Sequence, residues 1–120
     1  MEKPRLWRVA ATALSAALTF ALLVPEGSWS ADAALGKKLF DEKCQACHGV
    51  KGDGRGPIGL SLTPKPTNFT NPRFWQGNDS KEIPDAIRKG RKMMPAFDLK
   101  DDEIAAIGEY MRAEFGKAAK

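Results

Sequence analysis

The five residues Cys44-Gln45-Ala46-Cys47-His48 constrain this chain more than any other stretch. Two cysteines separated by two residues, followed at once by a histidine, form the pattern of c-type haem attachment. One turn of helix at this spacing aims both thiols at the two vinyl groups on one porphyrin edge, and the histidine then presents its imidazole to the iron. Its other ring nitrogen needs an acceptor, which fixes the tautomer and strengthens the ligand. Competing readings of the motif fare worse. A closed zinc site wants four Cys or His ligands, and the chain has two cysteines and one histidine. A thioredoxin-like pair sits on a strand-to-helix turn, and no strand-like alternation precedes Cys44. A disulfide between Cys44 and Cys47 would close a small strained loop and leave His48 unexplained.

The N-terminal stretch reads as an export signal. Lys3, Arg5 and Arg8 precede an uncharged apolar run from Val9 to Val24, and Pro25, Gly27 and small residues follow. Residues 1–30 are therefore expected to be a signal peptide, cleaved after Ser30 or Ala33, with the functional domain at 31–120. The apolar run falls short of the ~20 residues that a membrane span requires. Export to the bacterial periplasm is the expected localisation, and an uncleaved signal is the alternative route to a membrane. The formal net charge of +4 is modest and demands no nucleic acid partner.

Asp32 to Cys47 reads as an amphipathic helix, with Leu35, Gly36, Leu39, Phe40 and Cys44 on one face. Glycine weakens a helix interior by about 1 kcal/mol relative to alanine, so Gly36 on the apolar face suggests a second helix crossing closely there. Gly49, Gly52, Gly54, Gly56, Pro57 and Gly59 then exclude regular structure and predict a loop wrapping a haem edge, with Leu60, Leu62 and Phe69 as its apolar anchors. Pro57 keeps a carbonyl but has no amide hydrogen, which makes it a candidate acceptor for His48. Phe74 and Trp75 are expected to pack inward. For Trp75 two readings stand side by side, ordinary core or an indole N–H bonded to a haem propionate.

A short helix is expected over Ser80 to Lys89, stopped by Gly90, with Pro84 either at its start or costing it a backbone bond. The clearest helix spans Lys100 to Phe115, capped by Asp101 or Asp102, with Ile104, Ile107, Gly108, Met111 and Phe115 on one face and Tyr110 beside them. Gly36 and Phe40 are expected to meet Ile107 and Tyr110. With one histidine in the chain, the sixth iron ligand must be another residue type. Met1 belongs to the signal and Met111 to a helix face, which leaves Met93 and Met94 in the loop Lys92-Met93-Met94-Pro95-Ala96-Phe97. Met94 is favoured, because a residue before proline is held extended. A thioether opposite a histidine raises the potential of the iron. If both methionines were only packing residues, the iron would be open to a ligand such as peroxide or a gas. Arg88, Lys89, Arg91 and Lys92 are either a patch that steers an acidic partner or a solvated helix end.

In these parts the chain resembles the class I cytochromes c. Gly36 and Phe40, the Cys44 to His48 motif, Gly56-Pro57, Met94-Pro95-Ala96-Phe97, and Ile107 with Tyr110 carry the resemblance across nearly all of residues 32–116. It implies an all-α fold of three to four helices around one covalently bound haem c, with the first and last helices crossing. It implies Cys44 and Cys47 as thioether attachments, His48 as proximal ligand, Met94 as distal ligand, and electron transfer rather than enzymatic turnover. The expected role is a monomeric periplasmic carrier that docks transiently with redox proteins, reaching membranes through respiratory complexes. The alternative is a haem subunit of an oxidase or dehydrogenase. A chain this short has little apolar surface of its own to bury. Circular dichroism of the haem-free mature chain is therefore expected to show little helix, and a fully helical apo spectrum would contradict this.

Overall fold

In a computed structural model, which describes residues 28–119, the chain crosses its first helix over its last. Helix α1 is Ser28–Lys43 and α2 is Gln45–His48. Cys44 lies between them at φ −113°, and the Cys44 carbonyl still accepts from the His48 amide at 2.9 Å. The helix expected to run to Cys47 is thus present with a slight break at the first cysteine. Gly49, at φ 83°, then turns the chain out of helical geometry.

The loop that follows contains a single 3-10 turn, Gly59–Ser61. Helix α3, Pro72–Gln76, is an element that the sequence reading did not foresee. It forms because the Asn71 side chain accepts from the Arg73 amide while Pro72 occupies the first helical turn, where its missing N–H costs nothing. A 3-10 turn, Asp79–Glu82, leads into α4, Ile83–Lys89, so Pro84 lies in the first turn of the helix rather than breaking it. Gly90 ends α4 at φ 71°. Helix α5 is Asp101–Phe115, and a final 3-10 turn covers Gly116–Ala119. The cap of α5 differs from expectation. Lys100 is the capping residue, Asp101 and Asp102 lie inside the first turn, and the Glu103 carboxylate accepts from the Lys100 amide at 2.9 Å. Three carboxylates in that turn still face the positive end of the helix.

The α1–α5 crossing is built on Gly36. A Cβ at this position would collide with the backbone carbonyl of Ala106 and the Cβ of Tyr110, so only glycine lets the two backbones approach this closely. Phe40 lies beside the crossing, its ring 5.6 Å from Tyr110 and 5.3 Å from Phe115. Ile104 and Ile107 are buried completely or nearly so, and Met111 and Phe115 continue the same face. Gly108 does not belong to it. Open space surrounds that glycine, and Ala106 takes its place against α1. Phe69, Phe74, Trp75, Ile83 and Ile87 complete the core from the loop, α3 and α4. Leu60 is a correction, being 56% exposed instead of anchoring the loop.

The expected signal peptide falls outside the described residues, apart from its last few positions at the start of α1. Among the described residues no helix is long and apolar enough to cross a membrane. Overpacking a tight core contact costs about 1–3 kcal/mol. Gly36→Ala is expected to lower the stability of the haem-loaded protein by about 2 kcal/mol in denaturant unfolding, and an unchanged midpoint would contradict the close crossing.

Candidate functional site

Cys44 and His48 lie four residues apart on a nearly continuous helical path, with Cys47 three residues after Cys44, so all three side chains fall on one side of the turn. They line a cavity of about 460 Å³, to which α1, α2, α4, α5 and the loops on either side of α3 and α4 all contribute. Its walls include Phe40, Ile87, Ile107 and Met111. The two cysteines form no disulfide and are partly buried. Burial pushes the Cys44 thiol up to about 11, so it stays neutral at physiological pH. Among the described residues no cluster of three or more His, Cys, Asp or Glu side chains is arranged to hold a metal ion.

His48 is buried, and that burial holds its pKa below the usual histidine range, with a bond to the Thr67 backbone acting in the opposite sense. The imidazole therefore stays neutral and keeps a lone pair for a metal. Nδ1 lies 3.3 Å from the carbonyl of Thr67, and the ring stacks on Phe69 at a centroid distance of 4.6 Å. This corrects the expectation for Pro57. That residue is exposed, and the acceptor comes from the other end of the loop. The strap containing Thr67 approaches because Gly54, at φ 79°, leaves room for the Pro66 carbonyl, which a Cβ would meet at 2.6 Å. Trp75 is also resolved. Its indole N–H donates to the Phe69 carbonyl at 2.7 Å within the core, so the propionate reading is not the one adopted.

Met94 is partly buried, lines the same cavity as His48, and packs against the core, whereas Met93 is 56% exposed. The loop that carries it is pinned. Arg91 and Met94 exchange backbone bonds of 2.9 and 2.8 Å across a two-residue turn, with Lys92 in the left-handed region at φ 52°. The Phe97 amide donates to the Ile87 carbonyl at 2.8 Å, and a Cβ on Gly90 would run into the Met94 carbonyl. Sequence reasoning had no signal for this turn beyond Gly90 and Pro95. The basic cluster next to it is mostly paired. Arg88 bonds Asp101 at 2.7 Å, Lys89 bonds Asp85 at 3.0 Å, and Arg91 lies 2.5 Å from Glu82.

A buried neutral imidazole, a thioether and two thiols a helical turn apart, around an apolar cavity within the ~300–1,000 Å³ range of cofactor sites, fit a covalently held iron porphyrin. This defines a small helical haem-binding domain. Comparison with known proteins agrees. Residues 31–111 match the family described as "Cytochrome C oxidase, cbb3-type, subunit III". Cytochrome c6 of Tetradesmus obliquus is 37% identical over 87 residues, which are 68% of this chain and 90% of that protein. The cbb3-type cytochrome c oxidase subunit FixP of Bradyrhizobium diazoefficiens is 34% identical over 85 residues, 68% of this chain but 27% of the relative, so the chain spans about a quarter of that protein's length. The crystal structure of the c-type cytochrome SorU from Sinorhizobium meliloti superimposes with a TM-score of 0.51 at 26% identity, covering 73% of this chain and 95% of SorU. The chain belongs to the class I cytochromes c, within the family of that oxidase subunit's haem domain. Its cofactor is haem c with iron.

Proposed function

We propose that this chain is an exported, monomeric electron carrier of the bacterial periplasm, not an enzyme, with Cys44 and Cys47 bonded to the porphyrin and His48 and Met94 as axial ligands. The observation that carries the reading is the pairing of His48 and Met94 on one cavity, each fixed by backbone bonds of its surroundings. When bound, haem c supplies a one-electron iron couple. His48 contributes a neutral nitrogen whose Nδ1 proton is held by a carbonyl, which makes it the stronger donor. Met94 contributes a thioether, a soft ligand that favours ferrous iron. With His48 and Met94 both holding the iron, oxygen or peroxide would find no open position.

Ile58 and Met93 line the cavity and are 53% and 56% exposed, so they form an apolar margin on which a redox partner can dock. Docking of this kind is small and short-lived, which keeps release from limiting turnover. The domain 31–120 would follow removal of residues 1–30, and the export signal suits a protein whose vicinal thiols are captured by haem before they oxidise. A second reading, a haem subunit of an oxidase or dehydrogenase complex, is supported by the match to the cbb3-type subunit family and to FixP. Retention of this chain on a purified membrane oxidase through washing would favour that reading, and its recovery as a lone 1:1 haem protein would favour the carrier.

Met94→Ala is expected to abolish the weak far-red sulfur-to-iron absorption band and to lower the midpoint potential, whereas Met93→Ala leaves both in place. The reverse pattern would make Met93 the ligand, and loss in neither would mean an open iron. Three of the four basic residues beside the ligand loop are paired with carboxylates. Exchange rates with an acidic partner protein are therefore expected to change little from dilute to concentrated salt, and a steep fall would restore electrostatic steering.

A further inference from the structure

Two neighbouring thioethers occupy opposite environments at the ligand loop. Arg91 and Met94 exchange backbone bonds across their turn, which leaves Lys92 and Met93 at its exposed tip. Met94 packs against the core, whereas Met93 is exposed and has no place in the core cluster. Met111 is buried on α5, with 3% of its surface exposed. Met93 is therefore the one methionine among the described residues whose sulfur a small solute meets without entering the protein. It also borders the cavity beside Ile58, on the apolar margin where a partner would dock. Leucine would supply the same apolar surface, but only a thioether can take up oxygen reversibly.

We propose that Met93 is a reversible oxidation site, at which a peroxide turns the apolar docking margin polar and slows electron exchange while the axial ligands stay in place. The inference rests on Met94 being the distal ligand and on the Ile58–Met93 margin being the docking face. In the forward step the O–O bond of hydrogen peroxide breaks. One oxygen bonds to the Met93 sulfur, which loses two electrons, and the other leaves as water with both protons. In the reverse step a thiol-fed sulfoxide reductase returns two electrons to the sulfur, the oxygen leaves as water, and two thiols become a disulfide. The sulfoxide oxygen is a strong acceptor, so pressing it into an apolar contact with no donor opposite is costly. At the tip of a turn it meets solvent in the undocked protein, so the fold and the Met94 loop are not disturbed. Met94 is shielded twice, by its packing and by donating its sulfur lone pair to the iron.

The test uses the haem-loaded protein and needs no identified partner, because electron exchange between its own reduced and oxidised copies can be read by NMR in a half-reduced sample. After limited hydrogen peroxide, peptide fragmentation is expected to find one added oxygen at Met93 before any at Met94 or Met111, with the far-red band retained. Exchange is expected to slow by about tenfold, the weight of one unpaired polar group in an apolar contact, and to recover after treatment with a thiol-fed sulfoxide reductase. Met93→Leu is expected to exchange at the native rate and to keep it in peroxide, and Met93→Gln to be slow from the start. First oxidation at Met94 or Met111 would overturn the proposal, as would failure of the reductase to restore the rate. An unchanged rate in the Met93 sulfoxide, with Met93→Gln slow, would overturn the switch but leave the docking face standing. A native rate in Met93→Gln would overturn the docking face and the switch with it. Loss of the far-red band in Met93→Leu would overturn the ligand assignment instead.

Discussion

The contact on which everything else depends is the one between the backbones of α1 and α5 at Gly36. Two helices can come this close only where one of them lacks a side chain. The crossing then directs the end of α1, with Cys44, and the inner face of α5, with Ile107 and Met111, toward the same space. The proposed attachment motif begins at Cys44, eight residues or a little over two turns beyond Gly36, so the position of a haem held there would follow from the packing of two helices that carry none of its proposed iron ligands. The longest apolar side chains near the crossing, Phe40 and Phe115, fill the space the two helices cannot close by themselves.

From that frame, each of the two proposed ligands is fixed by a different local device. His48 ends a short helix and is gripped by a strap that glycines allow to approach. Met94 is presented by a two-residue turn closed by paired backbone bonds and backed by Gly90. In both places a missing Cβ permits a carbonyl to sit where the ligand needs it. Rigid ligands suit electron transfer, because a site that changes little between oxidation states presents a small barrier to the arriving electron. Three of the four basic residues beside the ligand loop, Arg88, Lys89 and Arg91, are neutralised within the chain itself by Asp101, Asp85 and Glu82. Exposed ion pairs of this kind contribute little to stability, and here their consequence is a weakened local field beside the ligand loop.

Much of this was legible in the residues. The Cys-x-x-Cys-His spacing, the single histidine and the Met-Pro step point to the proposed chemistry of the site without a structure. The periodicity of Leu39, Phe40, Ile104, Ile107, Met111 and Phe115 defines the two crossing helices. What sequence did not reveal depends on contacts between distant segments. Pro57 looked like the acceptor for His48 because it is near in sequence and lacks an N–H, but Thr67 reaches the imidazole through an approach that only the positive φ values of Gly52 and Gly54 permit. Helix α3 is too short for a periodic signal, and only the Asn71-Pro72 pair marks it. Trp75 reads equally as core or as a propionate donor until Phe69 is seen to present its carbonyl. Leu60 is apolar but belongs to a turn that faces solvent.

The most direct measurement of the central claim is iron K-edge X-ray absorption on the secreted protein in both oxidation states. An iron held between His48 and Met94 gives five nitrogen scatterers and one sulfur, with the sulfur retained on reduction. A first shell of nitrogen and oxygen alone, or a five-coordinate iron, would contradict the account.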